Sequence, residues 1–335
     1  MRIVVIGGVA AGTKAAAKLK REQPDAEVVL FSKGRDISYA GCGLPYYLGG
    51  EIPDREDLIV NTPAKYAGLT RVQVFTGQEA VALNAAAHTV TVRDTGTGIA
   101  REEAYDRLIL AVGAEPFVPD VPGTGLPGVF TMRTPDDAIA ARDWAEQNQC
   151  RRAVVVGGGF IGLEVAENLL ARGLEVTVVD MAPQLMPNIF DPEMAGYVKR
   201  RLQARGMRVL TGTAFRGVQG EGRAAAVATD AGSLPADLVV LAIGIRPATG
   251  FLKDSGLAMV KGAIRVDARQ QTNLDDVYAV GDCAMVFNAR PGRPSGQPWA
   301  PPPTSPAAAW PGGFRGSRLR TAGAWAPALC GCWRI

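Results

Sequence analysis

The residue of this sequence that most strongly suggests redox chemistry is Cys42, in the run Ser-Tyr-Ala-Gly-Cys-Gly-Leu-Pro-Tyr-Tyr. No second cysteine stands near it in a Cys-x-x-Cys spacing, so redox chemistry here would use a single protein sulfur. The flanking glycines and the following proline argue against a thiol that is merely packed in a core. We therefore predict a nucleophilic, redox-active cysteine.

A glycine-rich turn near the middle of the chain has the pattern of a dinucleotide-binding site. Gly157 permits a tight turn, Gly159 lets the backbone approach a pyrophosphate, and Gly162 allows close helix–strand packing. Asp180 ends the next predicted strand, where a carboxylate binds a ribose 2′-hydroxyl and disfavours a 2′-phosphate. The pattern predicts NADH as the cofactor, with NADPH still possible.

A second turn of this type, Gly7-Gly8-Val9-Ala10-Ala11-Gly12, opens the chain and departs from the pattern. Val9 occupies the second glycine position, and Ser32 stands where an acidic residue would end the next strand. A serine can still bond a ribose hydroxyl, but more weakly. Gly281 and Asp282 end another strand and could offer an amide and a carboxylate to a ribityl chain. We predict that the neighbouring Cys283 is a packing residue.

The predicted elements around these turns form two βαβ units, which predict an α/β fold with parallel sheets. The first unit has strands at 2–6 and 27–31 with a helix at 13–20, and the second has strands at 153–156 and 175–179 with a helix at 163–171. Between them, 72–75 and 88–92 are expected to be antiparallel strands, and 105–112 a buried strand. The Pro/Gly-rich stretch 116–127 is expected to connect two domains.

Composition excludes several classes of function. Removing the five arginines of residues 291–335 from the net charge of +3 leaves −2 for residues 1–290, so no basic patch predicts nucleic-acid binding. His88 is the only histidine, and no metal site is expected. No apolar run is long enough to span a membrane, and the first residues leave no room for a signal peptide. The few cysteines fit a reducing cytoplasm.

Residues 291–335 differ from the rest of the chain. They hold nine prolines, four of the five tryptophans and no acidic residue. Such an abrupt change is typical of an out-of-frame reading, and we hypothesise a frameshift near residue 291. A genuine disordered tail is the alternative.

Five ordered motifs make residues 1–290 resemble the pyridine nucleotide-disulfide oxidoreductases, in particular the single-cysteine branch of coenzyme A disulfide reductases and NADH oxidases. The motifs are the first turn, the Cys42 run, the Tyr-Asp-Arg-Leu-Ile-Leu-Ala-Val-Gly-Ala segment at 105–114, the segment 237–247 and the segment 277–283. The resemblance implies two Rossmann-like FAD/NAD(P)-binding domains of the three-layer ββα sandwich type. It implies a FAD-binding domain at 1–118 and 245–290, an inserted NAD(H)-binding domain at 119–244, an aberrant tail at 291–335, and no C-terminal dimerisation domain, although relatives are homodimers.

The resemblance also implies roles for individual residues. Cys42 would lie beside the flavin at the start of a short helix, whose N-terminus favours the thiolate. Phe160 would gate the flavin and Glu164 would lie near it. Cofactor contacts are expected from Gly7, Gly8, Val9, Ala10, Ala11, Gly12, Ser32, Lys33, Ala111, Gly113, Arg133, Gly157, Gly159, Phe160, Ile161, Gly162, Glu164, Asp180, Gly244, Gly281 and Asp282.

The function that the resemblance implies is reduction of a disulfide, coenzyme A disulfide above all, with FAD and NADH. Lys20 and Arg21 match a basic pair that binds coenzyme A phosphates, and Ser38 matches a substrate contact, whereas Gly41 replaces an asparagine. The oxidase relatives place a histidine in the first turn, and this chain has none there. NADH oxidase, persulfide or polysulfide reductase, and an inactive truncated flavodomain are the alternatives.

Overall fold

A computed structural model describes residues 1–285, so the predictions for 286–335 lie outside the described residues. The described chain forms two compact units. The first comprises 1–39, 59–114 and 247–285, and the second comprises 40–58 and 115–246. Residues 40–58 fall in the second unit because the helix within them packs on two helices of that unit.

The helices are α1 (Ala10–Glu22), α2 (Leu44–Gly49), α3 (Pro63–Thr70), α4 (Pro135–Gln147), α5 (Phe160–Ala171) and α6 (Pro192–Ala204). Short 3₁₀ turns lie at Gly41–Gly43, Arg55–Leu58 and Gly250–Leu252. The strands are β1 (Arg2–Ile6), β2 (Glu27–Ser32), β3 (Gln73–Thr76), β4 (Gln78–Asn84), β5 (Thr89–Asp94), β6 (Ala100–Ala104), β7 (Arg107–Leu110), β8 (Ala114–Pro116), β9 (Val129–Phe130), β10 (Arg152–Val156), β11 (Glu175–Asp180), β12 (Arg208–Thr211), β13 (Phe215–Gln219), β14 (Ala226–Thr229), β15 (Gly232–Pro235), β16 (Leu238–Leu241), β17 (Ile245–Pro247), β18 (Met259–Val260), β19 (Ala263–Arg265), β20 (Val277–Ala279) and β21 (Ala284–Met285).

The first unit is built on a five-stranded parallel sheet of order β20-β7-β1-β2-β3. Side chains of β1 alternate between its two faces. Ile3 and Val5 pack with Ala15 and Leu19 of α1, whereas Val4 packs with residues of the antiparallel sheet β4-β5-β6. Helix, parallel sheet and antiparallel sheet therefore form three layers, as predicted.

The second unit repeats this plan. Its parallel sheet has the order β12-β11-β10-β16-β9. Val154 and Val156 of β10 pack with Val227 and Leu234 of the antiparallel sheet β13-β14-β15, while α5 packs on β10 and β11. The predicted α/β class, with two Rossmann-like units, is confirmed.

One strand prediction was wrong. The segment 72–75, expected to be antiparallel, contributes β3, which pairs parallel with β2 at the sheet edge. The reason is α3, which the sequence reading did not identify and which carries the chain back across the sheet before β3. The expected antiparallel strand at 88–92 is confirmed as β5.

Candidate functional site

Each unit has a glycine-rich turn between its central strand and the following helix. Gly7 and Gly157 have φ angles of +111° and +112°, in the left-handed region that favours glycine. A Cβ atom would overlap the carbonyl of Ala111 at the first position and that of Ala242 at the second. Both positions therefore require glycine, and the two turns have matching backbone geometry.

The third glycine of each turn lets the helix approach the strand. A Cβ atom on Gly12 or Gly162 would overlap the carbonyl oxygen of Gly7 or Gly157, respectively. At Gly159, by contrast, a Cβ atom would meet nothing within 4 Å, so the space in front of the second turn is open. An open backbone turn at a helix N-terminus fits the pyrophosphate of a dinucleotide.

Asp180 is fixed against the second turn. Its Oδ2 accepts a hydrogen bond of 2.6 Å from the backbone nitrogen of Gly158, and its Oδ1 accepts one of 2.7 Å from that of Ala182. Two amide donors hold the carboxylate at the end of β11, beside the second glycine-rich turn. This is the position from which an acidic side chain can bind a ribose.

Ser32 stands at the corresponding place in the first unit, at the end of β2. A Cβ atom on Gly8 would lie 2.9 Å from Ser32 Oγ, just as one on Gly158 would lie 3.0 Å from Asp180 Oδ2. The two turns thus bring the same backbone position against the last residue of the second strand. Only the second turn has a carboxylate there.

Gly281 lies against the first turn. A Cβ atom on this residue would come within 2.9 Å of the Cβ of Ala11, so the predicted Gly-Asp pair is brought to the turn, with Asp282 partly exposed. Cys283 is fully buried, and its thiol donates to the carbonyls of Leu110 at 3.4 Å and Val280 at 3.3 Å. Burial raises the pKa of the Cys283 thiol to about 11. It is a packing residue.

Cys42 is exposed, in the 3₁₀ turn directly before the six-residue helix α2. Gly43 is buried, and a Cβ atom there would lie 3.1 Å from side-chain carbons of Ile52 and Leu58. Gly41 faces open space, with nothing within 4 Å of a Cβ atom. One flanking glycine therefore permits packing and the other leaves room, so a solute can reach the thiol.

The comparison that decides the family covers most of the chain. Residues 1–306 match the family model described as pyridine nucleotide-disulphide oxidoreductase. The chain belongs to the pyridine nucleotide-disulphide oxidoreductase family.

Named members of the family are similar to this chain. An NADH oxidase of Methanocaldococcus jannaschii is 36% identical over 288 residues, covering 86% of this chain and 64% of the relative. A coenzyme A disulfide reductase of Staphylococcus haemolyticus is 32% identical over 284 residues, covering 84% and 62%. The solved structure of a NAD-dependent persulfide reductase from A. fulgidus has a TM-score of 0.90 at 32% identity, covering 96% of this chain and 61% of that chain. The chain therefore spans somewhat less than two thirds of the length of these relatives.

Helix α5 carries several of the residues that the sequence predicts to contact a cofactor. Phe160 is its first residue, and Ile161 is exposed in its first turn. Burial, with a smaller contribution from the charge of Glu167, raises the pKa of Glu164 above its usual value. The carboxyl of Glu164 therefore holds a proton more readily than an exposed glutamate does.

Lys20 and Arg21, the predicted basic pair, differ in their contacts. Lys20 Nζ donates to the carbonyl oxygens of Pro24 at 2.8 Å and Ala26 at 2.7 Å, so it holds the loop between α1 and β2. Arg21 is exposed and lines a surface pocket together with Arg71. Arg71 was missed in the sequence analysis, because an isolated arginine far along the chain gives no signal of its own.

Other predicted contacts have local structural roles. Lys33 forms an ion pair of 2.9 Å with Glu79, and Ser38 Oγ accepts a hydrogen bond of 3.3 Å from Asn61. The backbone nitrogen of Arg133 donates to Asp137 at 2.9 Å, just before α4. The remaining predicted contacts lie in turns or at element ends: Val9 and Ala10 at the start of α1, Ala111 and Gly113 after β7, and Gly244 after β16.

Among residues 1–285 no cluster of three or more His, Cys, Asp or Glu side chains could hold a metal ion. No helix in the described part of the chain has the length and apolar character needed to cross a membrane.

Proposed function

We propose that this chain binds FAD at the first turn and NADH at the second, and that it reduces a disulfide through Cys42, with coenzyme A disulfide as the substrate. The observation that carries the proposal is an exposed thiol in a protein with two dinucleotide turns of matching geometry. Neither Cys283, which is fully buried, nor Cys150, whose pKa is raised by burial and by the charge of Asp237, offers a comparable thiol.

The residues of each turn would hold one cofactor. Gly157, Gly159 and Gly162 would face the pyrophosphate of NADH, with Asp180 on its adenosine ribose. The first turn would hold the FAD pyrophosphate, with Ser32 at the ribose and Gly281 and Asp282 at the ribityl chain. When bound, FAD supplies the means to carry an electron pair from nicotinamide to sulfur.

The reaction of Cys42 would be a thiol–disulfide exchange. Its thiolate attacks one sulfur of coenzyme A disulfide, the substrate S–S bond breaks, and one coenzyme A thiolate leaves. A mixed disulfide between Cys42 and the second coenzyme A remains. Two electrons from NADH then break this bond, restoring the Cys42 thiolate and releasing the second coenzyme A thiol. The sum is one NADH and one proton consumed for two coenzyme A thiols and one NAD⁺.

Charge near the first unit supports coenzyme A as the carrier of the disulfide. Arg21 and Arg71 line one pocket of about 360 Å³, and guanidinium groups suit the phosphate groups of coenzyme A. Lys20, already bonded to two carbonyls, contributes less than the sequence suggested.

Oxygen reduction is the second candidate function, because the Methanocaldococcus relative is named an NADH oxidase. In that case one NADH would reduce oxygen to hydrogen peroxide, and the Cys42 thiolate would take one peroxide oxygen to become a sulfenic acid while the other leaves as water. A second NADH would reduce the sulfenic acid to the thiolate and release the second water. Persulfide reduction, named for the A. fulgidus structure, would use the same thiol on a different sulfur compound.

The test is NADH oxidation by the purified 335-residue chain reconstituted with FAD, measured with coenzyme A disulfide, with a persulfide and with oxygen alone. We expect the disulfide to be preferred, and Cys42→Ser to abolish the disulfide reaction while Cys150→Ser does not. Oxygen consumption at the same rate with and without the disulfide would favour the NADH oxidase function. A chain that binds no flavin would contradict the proposal and identify an inactive fragment.

A further inference from the structure

Two arginines bind the segment that carries Cys42 to the rest of the second unit. Arg172, which follows α5, donates from Nη1 to the carbonyl oxygen of Leu48 at 2.8 Å. Arg142 of α4 donates from Nη1 to the carbonyl oxygen of Pro53 at 2.9 Å. The last carbonyls of a helix have no partner within it, so Arg172 satisfies a group at the end of α2 that would otherwise need water.

A single carboxylate holds both arginines. Glu146 Oε1 accepts from Arg172 Nη2 at 2.8 Å and from Arg142 Nε at 3.2 Å. These two guanidinium groups, Arg172 first, hold the pKa of Glu146 below its usual value. The Arg142 guanidinium also lies 4.7 Å from the ring centroid of Tyr47, a buried residue of α2. We call Arg142, Glu146 and Arg172 the α2 clamp.

Helix α2 also touches the helix of the second turn. A Cβ atom on Gly49 would overlap the side chain of Asn168, so a larger residue at this position would displace Asn168. Asn168 is buried and donates from Nδ2 to the carbonyl oxygen of Glu164 at 2.8 Å. The last turn of α2 is therefore packed against α5 at the same end at which the clamp holds it.

From this geometry we propose that Arg142 and Arg172, aligned by Glu146, are positioning residues for Cys42. They fix the end of α2, and with it the short turn that presents the thiol, to the helices of the second unit. The inference rests on the proposed role of Cys42 but concerns how the segment is held. It can therefore be tested without any turnover.

The experiment is peptide-level amide hydrogen exchange on the full chain, comparing wild type with Arg142→Gln/Arg172→Gln. We expect exchange in residues 44–53 to accelerate about tenfold, as follows from the loss of roughly 1.4 kcal/mol of local stability. Exchange in β10 and β11 should remain unchanged. The matched control is Arg205→Gln, which removes the ion pair of 2.5 Å between Arg205, at the end of α6, and Glu167 of α5 without touching α2.

A second measurement separates positioning from general stabilisation. The rate of Cys42 alkylation is measured at a series of pH values by mass spectrometry. The midpoint of this pH profile should shift in the double variant and not in the control. The affinity for NAD⁺ should be unchanged in both. If the double variant folds poorly, Glu146→Gln is the variant to compare with wild type, because it keeps both arginines. We expect it to change exchange and alkylation in the same direction but by less.

Two results would overturn the proposal. One is that residues 44–53 of the double variant exchange at the wild-type rate and the pH profile of Cys42 alkylation is unchanged. The other is faster exchange spread equally over β10 and β11, which would make the arginines general stabilisers. Failure of disulfide reduction in the wild type would instead count against the proposed function, because neither measurement requires turnover.

Discussion

Asp180 Oδ2 accepts a hydrogen bond of 2.6 Å from the backbone nitrogen of Gly158, so the carboxylate is fixed to the second glycine turn before any ligand arrives. A fixed anion can accept from a ribose hydroxyl and repels a phosphate at the same place. The choice between NADH and NADPH would therefore depend on this pair.

We expect Asp180→Ala to weaken NADH binding and reduce the preference over NADPH. A hydrogen bond to a charged group is worth about 1.5–3 kcal/mol, which is roughly a 10- to 150-fold change in affinity. Titration of both dinucleotides measures it, with Glu175→Gln at the opposite end of β11 as the control. An unchanged ratio of the two affinities would show that Asp180 does not read the ribose.

Two glycines of the second turn should behave differently when replaced by alanine. Gly162→Ala places a methyl group against the carbonyl of Gly157, and such overpacking costs about 1–3 kcal/mol of unfolding free energy. Gly159→Ala meets no atom within 4 Å, so it should leave stability nearly unchanged and weaken NADH binding instead. Thermal unfolding and dinucleotide titration on both variants check this; equal loss of stability in the two would contradict the geometry.

Much of this arrangement could be predicted from the sequence. The glycine positions and the strands at 2–6 and 153–156 follow from local pattern, because both turns require glycine for steric reasons within a few residues. Contacts between distant segments could not be predicted. Arg172 bonds Leu48 across 124 positions, and Lys20 bonds two carbonyls that become available only after α1 ends. The direction of β3 was missed because α3 gives only a weak amphipathic pattern.

Ser32 is a weaker hydrogen-bond acceptor than a carboxylate, so replacing it with an acidic residue should strengthen FAD binding at the first turn. Ser32→Asp should reproduce the Asp180 arrangement and tighten FAD binding roughly fivefold, since bonds to charged acceptors exceed neutral ones by about 1 kcal/mol. Fluorescence titration with FAD measures the affinity. Asn84→Asp adds the same charge at an exposed strand end of the same unit and should have no effect. Weaker FAD binding in Ser32→Asp would contradict the equivalence of the two turns.

Glu164 should make stability depend on pH. Burial raises its pKa in the folded chain above the unfolded value of about 4.3, so its contribution is favourable below that value and is lost as pH rises through the folded pKa. Glu164→Gln should therefore raise the unfolding temperature at pH 7 to 8, with a difference that shrinks towards pH 4. Glu175→Gln, which removes an exposed carboxylate at the start of β11, should give no such gain. A lower unfolding temperature for Glu164→Gln at neutral pH would show that the charged form is stabilised there.

The central claim is that the Cys42 thiol itself exchanges with the substrate disulfide. The direct measurement is peptide mass spectrometry of the FAD-reconstituted chain after incubation with coenzyme A disulfide, before and after addition of NADH. We expect a coenzyme A adduct on the Cys42 peptide that NADH removes, and none on the Cys150 or Cys283 peptide. An unmodified Cys42 peptide, or an adduct that NADH leaves in place, would contradict the account.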